Sequence, residues 1–164
     1  MILVTVGTHD QGFERLVRAA DSLAGLLEEP VVIQYGASRY IPQKAEAFAW
    51  ASSEKMLELT FQSHVVISHA AAGASILALK ERKPLVLVPR RKTFGENYDD
   101  HQLELAGALA QAGQAVVVDE PTPESLVEAI ARAQTLVHRQ VSSSTLICAL
   151  KDQLKAWGKP ERAP

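Results

Sequence analysis

Short apolar runs recur along the chain, separated by longer segments in which apolar residues stand three and four positions apart. The short runs span residues 2–6, 31–35, 65–67, 85–88 and 115–118. Because these runs are apolar at consecutive positions, they predict strands that are buried on both faces. In the first longer segment one helical face carries Phe13, Leu16, Val17, Ala20 and Leu23. This alternation indicates an open, doubly wound α/β domain with a parallel sheet and helices on both sides.

The remaining segments contain the predicted starts and ends of further helices. Residues 41–63 predict a short strand near 47–50 and a helix over 53–62, with Ser53 as its N-cap. Thr122 is the predicted N-cap of a later helix, with Pro123 at its first position. A break at 142–144 precedes a last helix that ends near Trp157. We therefore divide the chain into an α/β domain over 1–137 and a C-terminal helix and tail over 138–164.

Composition excludes several classes of protein. The 164 residues suffice for one domain with a substantial core, and a net charge of −2 gives no basic footprint for nucleic acid. Cys148 is the single cysteine, so an internal disulfide or a cysteine zinc cluster cannot form, which suits a reducing cytoplasm. The first residues read as a buried strand and not as a signal peptide, and no apolar run reaches the roughly 18 residues of a membrane span. We expect a cytoplasmic protein whose membrane role, if any, depends on a patch or a partner.

Candidate chemistry lies in the loops after the strands, because open α/β sheets bind ligands at the carboxyl ends of their strands. The first loop offers Gly7 for close approach, Thr8 as a hydroxyl donor, and a helix start that would attract anions. The alternative is an ordinary capped turn, with Asp10 near the start of the helix. G-x-G-x-x-G is absent, and the second strand ends in Gln34 and Tyr35 without a ribose-binding acid, which disfavours an NAD site.

The loop after the third apolar run consists mainly of small residues. It contains His69, Ala70, Ala71, Ala72, Gly73, Ala74 and Ser75. Such residues allow a ligand to reach the N–H groups at the start of the next helix, which suits a phosphate or pyrophosphate. No G-K-[ST] follows, so this is not a Walker loop. The alternative is that the small residues only permit helix–sheet packing and that His69 is a structural histidine.

The loop after the fourth run is long and polar. Its basic triplet, residues 90–92, is interpreted as solvated, and Asp99 and Asp100 could cap the next helix. His101 and Gln102 fall in the first turn of that helix, where an amide suits sugar hydroxyls because it both donates and accepts. The hydrolase motif G-x-S-x-G is absent, and the histidines show no metal spacing such as H-E-x-x-H.

Three motifs together resemble the glycosyltransferase family 28 C-terminal domain in its short free-standing form. They are "ILVTVGTHDQGFERLV", "VVISHAAAGASILALKERKPLVLVPR" and "GENYDDHQLELAGAL", in the same order as in the family. That form includes soluble subunits of two-part transferases for dolichol-linked sugar and for bacterial capsule and exopolysaccharide. The resemblance implies a Rossmann-like GT-B half-domain that binds a UDP-sugar donor. It also implies a membrane-associated partner that binds the lipid-linked acceptor, with the active site between the two subunits. Through this partner the chain would lie at the inner membrane face.

The resemblance assigns roles to particular residues. Gly7, Thr8 and His9 match the turn near the diphosphate, and 50–56, with Ser53 and Met56, matches the segment that holds uracil. His69, Ala72, Gly73, Ala74 and Ser75 match the S-H-G-G-A-G-S motif at diphosphate and ribose. Asp100, His101 and Gln102 fall at the donor sugar. The resemblance places no catalytic base in this chain, and with no metal-binding carboxylate pair in the sequence we expect neither metal nor other cofactor.

Two departures from the family leave an alternative open. Ala70 and Ala71 replace one or two glycines, so either the turn differs or its φ angles are negative. Leu77 stands where the family usually has a glutamate that binds the ribose. The absence of that carboxylate should weaken nucleotide binding by roughly 1–3 kcal/mol. The leading hypothesis is a donor-binding subunit that transfers a hexose or N-acetylhexosamine. The alternative is a non-catalytic relative that acts as an assembly or regulatory module.

Overall fold

The computed structural model describes residues 1–99 and 101–136, which form a six-stranded parallel sheet covered by helices on both faces. The strands are β1 Ile2–Thr5, β2 Val31–Gln34, β3 Glu46–Phe48, β4 Val65–Ser68, β5 Leu85–Leu87 and β6 Val116–Val117. The helices are α1 Glu14–Ala24, α2 Ser53–Gln62, α3 Ala72–Lys80, α4 His101–Gln111 and α5 Pro123–Thr135, with a 3-10 turn at Lys92–Phe94. The doubly wound α/β prediction is confirmed. The predicted break at 142–144 and the last helix lie outside the described residues.

The central strands are buried on both faces, as their continuous apolar runs predict. Along β1, Ile2 and Val4 enter the core beneath α1 and α5, whereas Leu3 packs with Val32 and Leu59 beneath α2. A third cluster, which includes Val66 of β4, lies beneath α3 and α4. Successive side chains of a strand point to opposite faces, so each strand contributes to both layers. Among the described residues, no helix is both long and apolar enough to cross a bilayer.

The strand order is β3-β2-β1-β4-β5-β6, so the direction of winding reverses between β1 and β4. These two strands pair in parallel, with Thr5 opposite Ser68 at their carboxyl ends. The loops after β1 and β4 therefore begin side by side, at the position where doubly wound sheets form a binding crevice.

The helix caps confirm one prediction and correct another. The hydroxyl of Thr122 accepts from the N–H of Ser125, and Ser125 accepts in return from the N–H of Thr122, a capping box with Pro123 in the first turn. In α2, however, Ser52 and not Ser53 is the N-cap. Ser52 is extended, with φ −67° and ψ 159°, and its hydroxyl accepts from the N–H of Lys55. Of two adjacent serines, the one outside the helix takes the capping role.

No helix connects β2 to β3, and the loop 36–45 between them is attached to α1 by carboxylates. Asp21 is buried and accepts from the main-chain N–H groups of Gln43, Lys44 and Ala45 and from the Tyr40 hydroxyl. Burial by itself would raise the pKa of Asp21, but these hydrogen bonds outweigh it and hold the pKa below its usual value. The loop is thus positioned without secondary structure of its own.

Candidate functional site

Gly7 and His69 lie close together at the floor of the crevice between β1 and β4. Gly7 has a φ of +74°, which glycine adopts without steric cost. A Cβ built on Gly7 would lie 2.5 Å from both Cε1 and Nε2 of the His69 ring. A side chain at position 7 is therefore opposed by the backbone conformation and by the imidazole beside it.

Gln34 at the end of β2 holds the Gly7 turn in place. Its Oε1 accepts from the Thr5 hydroxyl (2.5 Å) and the Gly7 N–H (3.1 Å). Its Nε2 donates to the carbonyls of Gly7 (2.8 Å) and Ala49 (3.2 Å). All four hydrogen bonds that an amide readily makes are formed, inside a nearly inaccessible site. Gln34 therefore links the Gly7 turn to the segment after β3.

His69 is a buried, neutral imidazole. Its main-chain N–H and its Nδ1 both lie near the carbonyl of Thr5, at 3.3 Å and 3.2 Å, so the Nδ1 proton is the one that the carbonyl can accept. Burial is the main cause that lowers the pKa of His69 to about 4, and the positive charge of Arg90 lowers it further. At neutral pH the ring leaves Nε2 as an acceptor beside Gly7.

The turn after His69 keeps the left-handed conformation in spite of its alanines. Ala70 has a φ of +61°, whereas Ala71 is extended with a φ of −83°. The expectation of negative φ angles therefore holds for Ala71 and is wrong for Ala70. Ala70 is completely buried, which indicates that packing around its methyl group compensates for a conformation that costs alanine roughly 1 kcal/mol.

The start of α3 is open. Its N-cap, Ala71, provides no side-chain hydrogen bond, so the first N–H groups of the helix lack a side-chain cap. Gly73 is exposed, and a Cβ built on it meets nothing within 4 Å. Ser75 lies deeper, fully buried, and its hydroxyl has no hydrogen-bond partner among the described residues. Open space therefore adjoins main-chain N–H groups that lack a side-chain cap at the first turn of α3.

The loop after β1 differs from the prediction. Helix α1 begins at Glu14, well beyond Gly7, and the N–H of Phe13 before it donates to the Ser38 hydroxyl. The carbonyls of Gln11 and Gly12 accept from the Arg90 guanidinium, which keeps this segment outside the helix. The expected helix start within reach of the Gly7 turn is therefore not found, because α1 begins seven residues after Gly7.

The basic triplet also differs from the prediction, because Arg90 is only 1% exposed. Its guanidinium lies 4.8 Å from the centre of the Phe13 ring and donates only to main-chain carbonyls. Burial lowers the pKa of Arg90 to about 10, so it remains charged at neutral pH. Next to it, Glu96 forms a bidentate pair with Arg15 at 3.0 and 2.9 Å and accepts from the Arg91 N–H. The loop is folded around these groups and is not simply solvated.

A cleft of about 340 Å³ lies between the start of α3 and the start of α4. It is lined by His9, Ala70, Ala71, Ala72, Asn97, Tyr98, Asp99, His101, Gln102 and Leu105. The Oε1 of Gln102 accepts from the main-chain N–H of Arg90 at 3.0 Å. The carboxylate of Asp99 accepts from the N–H of His101 at 3.2 Å, as a capping residue would.

One wall of the cleft joins the loops after β1 and β5. The Tyr98 hydroxyl donates to Asp10 at 3.0 Å, and the rings of His9 and Tyr98 lie 5.3 Å apart. The hydrogen bond from Tyr98 is the main cause that lowers the pKa of Asp10. Asp10 is thus engaged with Tyr98 and does not act as a cap for α1.

The structure brings some of the predicted site residues together and separates others. His9, Ala72, His101 and Gln102 line the cleft, and Gly7 with His69 forms the floor of the adjoining crevice. Thr8, Gly73 and Ala74 stand outside the lining, although Gly73 and Ala74 belong to the first turn of α3. Ser53 is exposed on α2, Met56 packs against the Leu3 cluster, and Ser75 is buried. Asp100 lies outside the described residues.

Sequence reasoning missed the structural roles of Gln34, Arg90 and Tyr98. Gln34 is the last residue of one apolar strand and Arg90 closely follows another. A polar residue at such a position can be buried only if it finds hydrogen-bond partners, and this position is the local signal for both residues. The partners are distant in sequence: Val6, for example, accepts from Arg90 across 84 positions. No periodicity or spacing could have identified such a pair.

Comparison with known proteins gives concordant results. The model of the glycosyltransferase family 28 C-terminal domain matches residues 1–150. The mouse protein named UDP-N-acetylglucosamine transferase subunit ALG13 is 31% identical over 161 residues, which cover 88% of this chain and 13% of that protein. The human protein of the same name is 33% identical over 123 residues, or 68% of this chain and 10% of that protein. The chain thus spans only about an eighth or less of these relatives.

Solved structures show similarity of fold. A glycotransferase of kitacinnamycin has a TM-score of 0.63 at 21% identity, with 96% of this chain and 39% of that chain covered. The calicheamicin glycosyltransferase CalG4 has a TM-score of 0.60 at 18% identity, with 96% and 44% covered. At these identities the similarity concerns the fold alone.

Proposed function

The chain belongs to the glycosyltransferase family 28 C-terminal domain family, and from this we propose that it is the UDP-sugar-binding subunit of a two-part glycosyltransferase. The proposed reaction transfers a hexose or N-acetylhexosamine to a lipid-linked acceptor. A membrane-associated partner binds that acceptor and holds the catalytic base, and this chain associates with the cytoplasmic membrane face through it. The name of the mouse and human relatives, a subunit of a UDP-N-acetylglucosamine transferase, supports both the donor class and the division into subunits.

The observation that carries the donor site is the convergence of three loops at the reversal of strand order. The Gly7 turn, the uncapped start of α3 and the first turn of α4 meet around one crevice and one cleft. Main-chain N–H groups at a helix start bind phosphates, and an amide such as that of Gln102 binds hydroxyl groups. A nucleotide diphosphate at α3 and a sugar toward α4 fit this order of chemical groups.

The same arrangement accounts for departure of the nucleotide diphosphate. As the bond between the sugar and the diphosphate breaks, negative charge develops on the leaving oxygen. Donors that are already oriented, such as the first N–H groups of α3, stabilise that charge without reorganisation. The acceptor hydroxyl forms the new bond to the sugar and loses its proton to the base, which we assign to the partner.

One observation favours a second candidate, a non-catalytic assembly or regulatory module. Leu77 lies half-buried on α3, at the position where the family usually has a ribose-binding glutamate. A leucine offers no hydrogen bond to a ribose hydroxyl. Titration of the chain with UDP by calorimetry separates the two candidates, because the module would show no binding and the donor subunit would.

Replacing Gly73 by aspartate tests the phosphate site. The structure leaves open space around this position, so the new carboxylate meets no steric obstacle and acts mainly through its charge. Repulsion of the diphosphate should weaken UDP binding by about tenfold or more. Gly73→Asn is the matched control, because it has a similar shape without charge. Equal affinity of the two variants for UDP would remove the diphosphate from the start of α3.

Replacing Gln102 by leucine tests the sugar site and the partner together. Leucine has a similar size but cannot hydrogen-bond the sugar, so transfer should fall by about tenfold or more while UDP binds nearly as in the wild type. The assay measures transfer to a lipid-linked acceptor with and without the partner. The isolated chain should show negligible transfer even with Gln102 intact. Full transfer by the chain alone would refute the two-subunit proposal.

Transfer is also expected to need no metal ion bound to this chain. Among the described residues, no group of three or more His, Cys, Asp or Glu side chains is placed to hold a metal. The first N–H groups of α3 provide an alternative source of positive potential for the diphosphate. Addition of EDTA to the reconstituted assay should therefore leave the rate unchanged. Loss of activity that a divalent ion restores would contradict this proposal.

A further inference from the structure

Arg90 connects two loops that border the proposed donor site. Its Nη2 donates to the carbonyl of Val6 at 2.9 Å, directly after β1. Its Nη1 is shared among the carbonyls of Gln11 (2.8 Å), Gly12 (3.0 Å) and Glu96 (2.9 Å). The first three carbonyls belong to the loop after β1, and the last belongs to the loop after β5. One buried side chain thus fixes the distance between the two loops.

A buried arginine at this position is not explained by packing. Removing a guanidinium from water is costly, and even a complete buried ion pair can often be replaced by apolar side chains without loss of stability. The carboxylate of Glu96 is already bound by Arg15 and by the Arg91 N–H, and among the described residues the Arg90 guanidinium hydrogen-bonds only to main-chain carbonyls. Its Nε is buried without a partner among the described residues. The side chain is therefore suited to holding loop backbone, which an apolar residue could not do.

The main chain of Arg90 adds a direct link to the cleft. Its N–H donates to Oε1 of Gln102 at 3.0 Å. A main-chain N–H requires an acceptor, which determines which end of the amide faces it. The Nε2 end of Gln102 is consequently turned away from Arg90, and it has no hydrogen-bond partner among the described residues. Two N–H donors are thereby left available to a ligand in the cleft that Gln102 lines.

We propose that Arg90 is a positioning residue for the donor sugar: its guanidinium holds the loops after β1 and β5, and its N–H orients Gln102 as a donor. This inference rests on the proposed function for the identity of the ligand. It predicts that the sugar group which Gln102 meets is an acceptor, such as a hydroxyl or carbonyl oxygen. Arg90 itself touches neither the nucleotide nor the sugar.

The test compares affinities for UDP and UDP-N-acetylglucosamine, measured by calorimetry on the full chain. The affinity for UDP-N-acetylglucosamine divided by the affinity for UDP isolates the contribution of the sugar. Arg90→Lys keeps the charge but cannot reach four carbonyls, so the ratio should fall by about tenfold. Gln102→Leu should lower the ratio to a similar value. The double variant should fall no further, because the two residues act through one another.

Arg91→Lys is the matched control. It makes the same chemical change one position along, where the guanidinium pairs with Asp119 at 2.9 Å. Its ratio should equal that of the wild type. If Arg90→Lys keeps the wild-type ratio, or if the effects of Arg90→Lys and Gln102→Leu simply add, the positioning role is refuted.

A second measurement separates this inference from the proposed function and does not depend on Arg90 variants that fold poorly. In ¹H–¹⁵N spectra without ligand, Gln102→Leu should shift the main-chain N–H signal of Arg90 and leave that of Arg91 nearly unchanged. An unchanged Arg90 signal would refute the link to Gln102. If the wild type binds neither UDP nor the UDP-sugar, the proposed function fails, and the spectra alone then decide whether Arg90 orients Gln102.

Discussion

Gly7→Ala is expected to destabilise the folded chain by about 2–4 kcal/mol and to weaken UDP binding further. The backbone at position 7 has a φ of +74°, which costs alanine roughly 1 kcal/mol. The larger part comes from the 2.5 Å approach of the new Cβ to the His69 ring, which must move. The His69 ring is buried and hydrogen-bonded to the Thr5 carbonyl, so it cannot move without disturbing the end of β1.

Urea denaturation measures this effect, and Gly107→Ala is its control. Gly107 lies inside α4, and a Cβ there meets nothing within 4 Å. Alanine is favoured over glycine in a helix by up to about 1 kcal/mol, so this variant should be as stable as the wild type or more stable. Wild-type stability of Gly7→Ala would show that the Gly7–His69 contact does not exist in solution.

The second large effect expected is a loss of stability on acidification, caused by His69. The folded chain holds the pKa of His69 at about 4, against an ordinary value of 6.5, because of burial and the charge of Arg90. Below pH 6.5 His69 is protonated in the unfolded chain, whereas in the folded chain it stays neutral down to about pH 4. Stability is therefore complete above pH 6.5 and falls as the pH decreases to about 4. At about 1.4 kcal/mol for each pH unit, the full loss is roughly 3 kcal/mol.

The free energy of unfolding, measured in urea between pH 7 and pH 4, checks this result. His69→Asn is the control, since its side-chain N–H can replace Nδ1 near the Thr5 carbonyl but does not titrate. The variant should lack the part of the pH dependence that the wild type shows between pH 6.5 and 4. Identical pH profiles for the two proteins would mean that His69 is accessible to protons in the folded state.

Several features of the fold and of the candidate site were predictable because they depend on neighbouring residues. The cluster of small residues after β4 indicated an open helix start, and α3 begins there without a side-chain cap. Thr122 as N-cap and Pro123 in the first turn of α5 were predictable from two adjacent residues. The placement of His101 and Gln102 in the first turn of α4 followed from the polar loop and the periodic residues after it. In each case the physical cause acts within one or two turns of chain.

Other features depended on competition between neighbours that look alike in sequence. Two serines precede α2, and the backbone conformation of Ser52 decides that it is the cap. Two alanines follow His69, and Ala70 alone adopts a positive φ. In such pairs the residue types are equal, so the surrounding structure selects between them.

By itself, the sequence determined the doubly wound α/β class, the order of the elements along the chain, and the loops at the carboxyl edge. Hydrophobic periodicity is enough for this, since apolar runs that alternate with amphipathic helices are buried in a parallel sheet covered by helices. Only the tertiary structure decided that Gln34 holds the Gly7 turn, that Arg90 is buried, and that the Gln102 carbonyl accepts from the Arg90 N–H. These facts rest on hydrogen bonds between residues up to 84 positions apart. A buried polar group takes whichever partner the packed fold brings within about 3 Å, and no local pattern encodes that choice.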